Sequence, residues 1–152
     1  MIVDGPAILI DAVHNVTILM YHLVFPAKYR RVIFEDSVDE VLKETCLGIE
    51  QRYQVKFLEI GTDKGHVHFL VQSVPTYSVT KVVTLIKRLT AREIFRCCPQ
   101  GKKKLWGGEL WTDGYFASTV GKHGDEAMIG AYVKKQGNAY NKLHSDYQLA
   151  LF

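Results

Sequence analysis

Two neighbouring segments rich in β-branched and aromatic residues constrain the fold more than any other feature of the sequence. They are VKFLEIG (residues 55–61) and HVHFLVQS (residues 66–73). The four residues between them, TDKG, are short and polar, as in the loop of a β-hairpin. We therefore expect two adjacent strands near the middle of the chain.

The remaining elements follow from periodicity and from residues that begin or end them. VTILMYHLVF (residues 16–25) predicts a strand that Pro26 ends, and Ser37 and Glu40 have the capping-box spacing of a helix start. The full set is a strand over residues 16–25, helices over about 38–53 and 78–95, a strand within 108–119 and a helix over 125–137. Gly114 in the last strand suggests a bulge or a close backbone approach. The order β-α-β-β-α-β-α predicts an α+β fold of ferredoxin-like or RRM-like type, with helices packed on one face of an antiparallel sheet.

Length and composition favour one water-soluble domain. The chain has 152 residues, of which 47% are hydrophobic and 23% charged, and no apolar run approaches the ~20 residues that a membrane helix needs. Its first residues lack the basic start of a signal peptide, and three cysteines without zinc-motif spacing indicate reduced thiols. We expect a cytoplasmic protein without a membrane partner.

Positive charge is clustered although the net charge is only +3. The clusters are AKYRR with Lys28, Arg30 and Arg31, the run KKK at 102–104, Lys134 with Lys135, and a helix side with Lys81, Arg88 and Arg92. Each cluster alone is typical of a solvated surface. Together they favour a polyanionic partner.

The histidines of HVHFLVQS are two residues apart on a predicted strand. Alternation then places Val67 on the helix-packed face and both His66 and His68 on the other face, with Cα atoms about 6–7 Å apart. Two such imidazoles can reach one divalent metal ion. The structural alternative is a pair hydrogen-bonded to water or carbonyl groups. Because both rings are expected to point away from the core, we expect either one to be replaceable with little loss of metal-free stability.

The last predicted helix offers a third ligand. Tyr132 and Gln136 are four residues apart and share one helix face. Two imidazole nitrogens and one amide oxygen, with positions left for phosphate and water, suit Mg²⁺ or Mn²⁺. A tyrosine beside such a metal can attack a polarised phosphodiester, and the tyrosine ester conserves the bond energy for rejoining without a nucleotide cofactor. The alternative for Tyr132 is an aromatic side chain that packs on the sheet.

Four motifs in this order resemble the HUH single-tyrosine transposases of small bacterial and archaeal insertion sequences. They are YHLVFPAKYRR, GTDKGHVHFL, LWGGELWTDGYFASTVG and AYVKKQG, spanning roughly residues 15–137. The resemblance implies an enzyme that cuts and rejoins single-stranded DNA with hairpins at element ends through a covalent 5′-phosphotyrosine. It makes Tyr132 the nucleophile and His66, His68 and Gln136 the metal ligands. It also implies a homodimer in which one subunit's tyrosine helix completes the other's site, although the sequence leaves assembly within one chain open.

The resemblance divides the chain into an N-terminal extension (1–14), a catalytic domain (15–137) and a C-terminal tail (138–152). Tyr140 and Tyr147 in the tail are rival nucleophiles. The candidate phosphate contacts are Lys28, Arg30, Arg31, Arg88 and Arg92. Two other functions stay open: a domesticated or replication-type nuclease with the same chemistry, and a non-catalytic nucleic-acid-binding module.

Overall fold

The structure is a computed structural model that describes residues 2–3, 17–27, 36–63, 65–99, 109–121 and 140–152. Its helices are α1 (Asp36–Arg52) and α2 (Val79–Cys97). Its strands are β1 (Ile2–Val3), β2 (Leu19–Pro26), β3 (Lys56–Thr62), β4 (His66–Ser73), β5 (Phe116–Val120), β6 (Asn141–Ser145) and β7 (Leu149–Ala150).

Five strands form one antiparallel sheet in the order β5-β2-β4-β3-β6. The order β5-β2-β4-β3 is ferredoxin-like, since the two strands that a helix connects are separated by one other strand. β4 lies between β2 and β3, which α1 connects, and β2 lies between β4 and β5, which α2 connects. β1 and β7 pair separately as a short antiparallel ladder. The predicted α+β fold is confirmed, and β4 lies at the centre of the sheet.

Both helices cover the same face of this sheet. Leu42 and Ile49 of α1 and Ile86 of α2 are fully buried there. The rings of Phe25 and Phe69 pack against each other at a tilt of 52°, with centroids 4.9 Å apart. Val67, Phe69 and Val71 of β4 all belong to this cluster, as the alternation predicted.

The opposite face carries a smaller apolar cluster. Met20, Leu58, Leu70, Val120 and Leu149 are buried in it, and Tyr140 and Leu151 pack against it. The chain from residue 140 onward therefore covers part of the face that holds the two histidines. That cover was not predicted, because the sequence of this segment shows no clear alternation.

Local signals explain where most elements begin and end. The β4 limits agree with the prediction, and Ser78 caps α2 by accepting the backbone N–H of Lys81 at 3.0 Å. α1 begins two residues before the predicted start at residue 38, so Ser37 lies inside its first turn and does not precede the helix as its cap. Gly114 has a φ of +86°, a conformation that favours glycine. β5 covers residues 116–120, so it includes only the last four residues of the strand predicted within 108–119. The predicted last helix lies outside the described residues.

The helices of the described ranges include none that is both long and apolar enough to cross a membrane.

Candidate active site

His66 and His68 lie on the sheet face opposite the helices, as the strand period predicted. Their ring centroids are 6.3 Å apart. The two side chains differ in exposure, since His66 keeps 43% of its side chain accessible and His68 is fully buried. The expectation of little loss of metal-free stability assumed that both rings are exposed, and the burial of His68 beneath the covering chain contradicts that assumption for this residue.

One carboxylate joins the two histidines. Asp63 Oδ1 lies 3.0 Å from His66 Nδ1, and Asp63 Oδ2 lies 2.7 Å from His68 Nε2. Asp63 sits in the hairpin loop, where its Oδ1 also accepts the backbone N–H groups of Gly65 and His66. The loop thus holds the carboxylate in place by a local turn, while β4 holds the two rings.

A third histidine, His22 on β2, contacts His68 from the neighbouring strand. Its Nε2 lies 3.4 Å from His68 Nδ1, and the two rings are stacked with centroids 5.7 Å apart. His22 is itself buried. The β2–β4 register pairs His22 with Leu70 and Val24 with His68, so His22 reaches its partner diagonally across the ladder.

Burial and hydrogen bonding fix the charges of this group. Burial and the neighbouring His68 lower the pKa of His22 to about 4. Burial also lowers the pKa of His68, although Asp63 opposes the shift. For Asp63, burial alone would raise the pKa, but the hydrogen bonds from His68, Gly65 and His66 outweigh it and the pKa is lowered. At neutral pH the group is therefore an anionic Asp63 beside uncharged His22 and His68.

These charges decide which ring nitrogens carry protons. An ionised carboxylate only accepts, so the nitrogens facing Asp63 are N–H donors. In its neutral form His66 then keeps its lone pair on Nε2, which points away from Asp63 on a half-exposed ring. His68 keeps its lone pair on Nδ1, towards His22 Nε2.

The neutral His66 ring has a lone pair on Nε2 that can bind a divalent metal ion, and Asp63 orients this ring. His68 directs its lone pair at His22 Nε2, 3.4 Å away, so an ion bound by His68 Nδ1 would replace that contact. A histidine ligand usually donates its other N–H to a carboxylate, which is the arrangement of His66 with Asp63. Across the described ranges, no three His, Cys, Asp or Glu side chains are grouped to hold a metal by themselves. A further ligand must therefore come from another residue type or another part of the chain, and Gln136 was predicted for that role.

Several predicted site residues lie outside the described residues: Tyr132, Gln136, Lys28, Arg30 and Arg31. The two rival tyrosines are described, and both donate their hydroxyl groups to Glu59, Tyr140 at 2.5 Å and Tyr147 at closer range. A tyrosine held in this way must leave a buried carboxylate before it can attack phosphorus. This contact favours Tyr132 over both rivals.

Arg88 and Arg92 are exposed on α2 and so lie on the helix side of the sheet, across from the histidines. Arg92 makes a long ion pair with Glu93, at 3.9 Å. Arg88 lines a cavity of about 400 Å³ that Trp111 also lines. The structure thus separates the two arginines from the histidine pair by the thickness of the sheet.

Two residues of the site were missed at the level of sequence, for different reasons. Asp63 had a local signal, since an Asp three residues before the first histidine in a polar loop is typical of a side chain that bonds the backbone two or three residues on. His22 had none, because only the pairing of β2 with β4 brings it to His68.

Comparison with known proteins agrees with the resemblance that the motifs carry. The family described as "Transposase IS200 like" matches residues 15–136. The ISDra2 transposase TnpA of Deinococcus radiodurans is 32% identical over 118 residues, covering 78% of this chain and 84% of that protein. The transposase of insertion sequence IS200 from Salmonella typhimurium is 31% identical over 120 residues, covering 76% of this chain and 75% of that protein.

Two solved structures share the fold. A transposase from Deinococcus radiodurans superposes with a TM-score of 0.64 at 30% identity, covering 80% of this chain and 93% of that one. A REP-associated tyrosine transposase bound to a REP hairpin superposes with a TM-score of 0.51, covering 78% of this chain and 67% of that one. Its identity is 8%, so this second likeness concerns the fold alone.

Proposed function

The chain belongs to the IS200-like transposases, and from this membership we propose that it cleaves and rejoins single-stranded DNA at the ends of an insertion sequence. One observation carries the proposal beyond the family: the side chains of His66 and His68 meet on one carboxylate, on the sheet face away from the helices. The shared carboxylate and the burial of His68 support a built site rather than two incidental surface histidines.

Tyr132 is the proposed nucleophile. Its oxygen forms a bond to the scissile phosphorus, the bond from phosphorus to the 3′-oxygen breaks, and the phenolic proton ends on the released 3′-hydroxyl. The product is a 5′-phosphotyrosine, which a later 3′-hydroxyl attacks to rejoin the strand. Because the ester keeps the energy of the broken bond, the reaction needs no nucleotide cofactor.

Mg²⁺ or Mn²⁺ is the proposed cofactor, with His66, His68 and Gln136 as its protein ligands. Such an ion neutralises charge on the phosphate and orients it for attack. Asp63 keeps the proton of His66 on Nδ1, so the lone pair that would bind the metal ion lies on Nε2. His22 and Asp63 together hold the buried ring of His68.

The proposed partner is single-stranded DNA that carries hairpins near the element ends. The proposed compartment is the cytoplasm. A hairpin is also the ligand of the REP-associated transposase, whose fold this chain shares. Arg88 and Arg92 are the described candidates for phosphate contacts, and Lys28, Arg30 and Arg31 are the other candidates. Because the two arginines lie across the sheet from the histidines, we propose that the hairpin binds on the helix side while the cleaved strand reaches the opposite face.

A homodimer with composite sites is the proposed assembly. Among the described strands, β5 lies at one edge of the sheet, and Phe116 on it is 46% exposed. An exposed strand edge with an apolar side chain favours pairing with a second copy. The tyrosine helix of one subunit would then complete the histidine site of the other.

The test is a covalent adduct between protein and DNA. The full chain is incubated with single-stranded element ends and Mg²⁺, and a denaturing gel is used to detect protein that migrates with labelled DNA. We expect an adduct from the wild type, from Tyr140→Phe and from Tyr147→Phe, and none from Tyr132→Phe. An adduct that persists in Tyr132→Phe would move the nucleophile to another tyrosine. Hairpin binding that EDTA leaves unchanged, without any adduct from the wild type, would identify a non-catalytic binding module instead.

A further inference from the structure

The segment of residues 140–152 lies beyond the region matched by the family and yet contacts the histidine site. It contributes β6, which pairs with β3 at the edge of the sheet, and β7, which pairs with β1 in the separate ladder. Gln72 on β4 anchors its far end by two hydrogen bonds with the backbone of Ala150, at 2.7 and 3.0 Å. The segment therefore packs as part of the folded unit.

The side chain of Glu59 binds the segment in the interior of the protein. It is a fully buried carboxylate on β3, where a charge is costly unless it is paired. Three of its polar partners come from the segment: the hydroxyl groups of Tyr140 and Tyr147, and the ammonium group of Lys142 at 3.7 Å. Glu59 thus holds Tyr140 in one position.

Gly61 provides the space for the ring of Tyr140. A Cβ atom added at Gly61 would come within 2.0 Å of the ring and hydroxyl of Tyr140, so any side chain there would displace the tyrosine. Gly61 is also the β3 residue paired with His68. The tyrosine ring consequently lies beside His68, edge to face with centroids 5.8 Å apart.

We propose that Tyr140 is a positioning residue for the metal-binding histidines, supplied by a segment outside the family's matched region. His68 has Asp63 at Nε2, His22 stacked at Nδ1 and the Tyr140 ring against its remaining edge. Tyr140 prevents rotation of the imidazole and so keeps its Nε2–H on Asp63 and its Nδ1 lone pair towards His22. The metal role of His68 rests on the proposed function, whereas the fixed ring is a property of this fold.

The first experiment observes His68 without metal. Long-range ¹H–¹⁵N correlation spectra of the histidine rings are recorded on the full chain in EDTA. We expect one fixed tautomer for His68 in the wild type and in Gln72→Ala, which loosens the far end of the segment only. Tyr140→Leu should average the two ring nitrogens of His68. Unchanged His68 signals in a folded Tyr140→Leu protein would overturn the proposal.

Gly61→Ala keeps the proposal testable if Tyr140→Leu does not fold. This variant retains the tyrosine but forces its ring away from β3. The same averaging of His68 is expected. A tautomer as well fixed as in the wild type, in a folded Gly61→Ala protein, would also contradict the proposal.

The second experiment measures Mn²⁺ affinity by calorimetry with the same proteins. Loss of groups that orient a ligand typically weakens metal binding about 10- to 100-fold, and for a ring contact we expect about three- to tenfold in Tyr140→Leu. Gln72→Ala should bind Mn²⁺ as the wild type does. Equal losses in Tyr140→Leu and Gln72→Ala would reduce the role of Tyr140 to general stability. If the wild type itself binds no Mn²⁺, the metal part of the proposed function fails, while the metal-free spectra still decide whether Tyr140 positions His68.

Discussion

His66 and His68 come from one strand face but occupy different environments. His68 is fully buried between Asp63 and His22, whereas His66 keeps nearly half of its side chain in solvent. In metal-free protein we expect His68→Ala to lower the free energy of unfolding by about 2–4 kcal/mol, since it leaves a cavity and unpaired polar groups. His66→Ala should cost about 1 kcal/mol or less. Urea unfolding in EDTA measures both, and equal losses would contradict the burial difference.

His22 predicts how stability depends on pH. Its pKa falls from 6.5 to about 4 on folding, so between these values the unfolded chain binds more protons than the folded one. Its stabilising effect is therefore complete above about pH 6.5 and is lost as the pH falls towards 4, by about 2–3 kcal/mol. The lowered pKa of His68 acts in the same direction.

His22→Gln should remove part of this dependence. Unfolding free energies of wild type and variant, measured in EDTA between pH 7 and pH 4, should run closer together at the acid end than at the neutral end. Parallel curves would mean that His22 is charged in the folded protein or already uncharged in the unfolded one.

At the scale of elements, predictions from sequence were accurate where the signal was local. The alternation in residues 66–73 determined both the limits of β4 and the face that holds His66 and His68. β6 was not predicted, because NKLHS is polar and mostly exposed and is held by backbone pairing with β3. The partners of Glu59 were not predicted either, because Tyr140 and Tyr147 are separated from it by 81 and 88 residues along the chain. Contacts of this kind depend on topology and leave no local pattern.

Helix α2 carries the described part of the proposed DNA surface. We expect Arg88→Gln with Arg92→Gln to weaken hairpin binding and to lower the slope of log K against log salt by about 0.9 for each lost phosphate contact to the duplex stem. Mn²⁺ affinity should stay unchanged, because the histidines lie on the other face of the sheet.

Arg52→Gln on α1 is the matched control. Arg52 is also an exposed arginine near a helix end, and its guanidinium contacts the ring of Tyr53. Filter binding at several salt concentrations compares the three proteins. A loss in Arg52→Gln as large as in the double variant would indicate a general charge effect rather than a surface on α2.

At the scale of the whole molecule, two separate faces must serve one reaction. The helices and the arginines lie on one side of the sheet, and the histidine pair lies on the other side, partly covered by residues 140–152. The proposed nucleophile and third ligand, Tyr132 and Gln136, are four residues apart in the sequence. Under the proposed function, the chain that supplies one of them to a site would therefore supply both.

Mixing two inactive variants tests whether that chain is the same subunit or its partner. Tyr132→Phe loses the nucleophile, and His66→Ala loses the more exposed ligand at little cost in stability. In a mixed dimer with composite sites, one site joins the intact tyrosine to the intact histidines, and the other site carries both defects. An equal mixture with free exchange should regain about one quarter of wild-type sites, because half of the dimers are mixed and each has one good site. Adduct formation measures the recovery, and a mass shift between tagged chains verifies exchange. Mixed dimers that form and yet give no adduct would place Tyr132, Gln136 and the histidine pair of each site within a single chain.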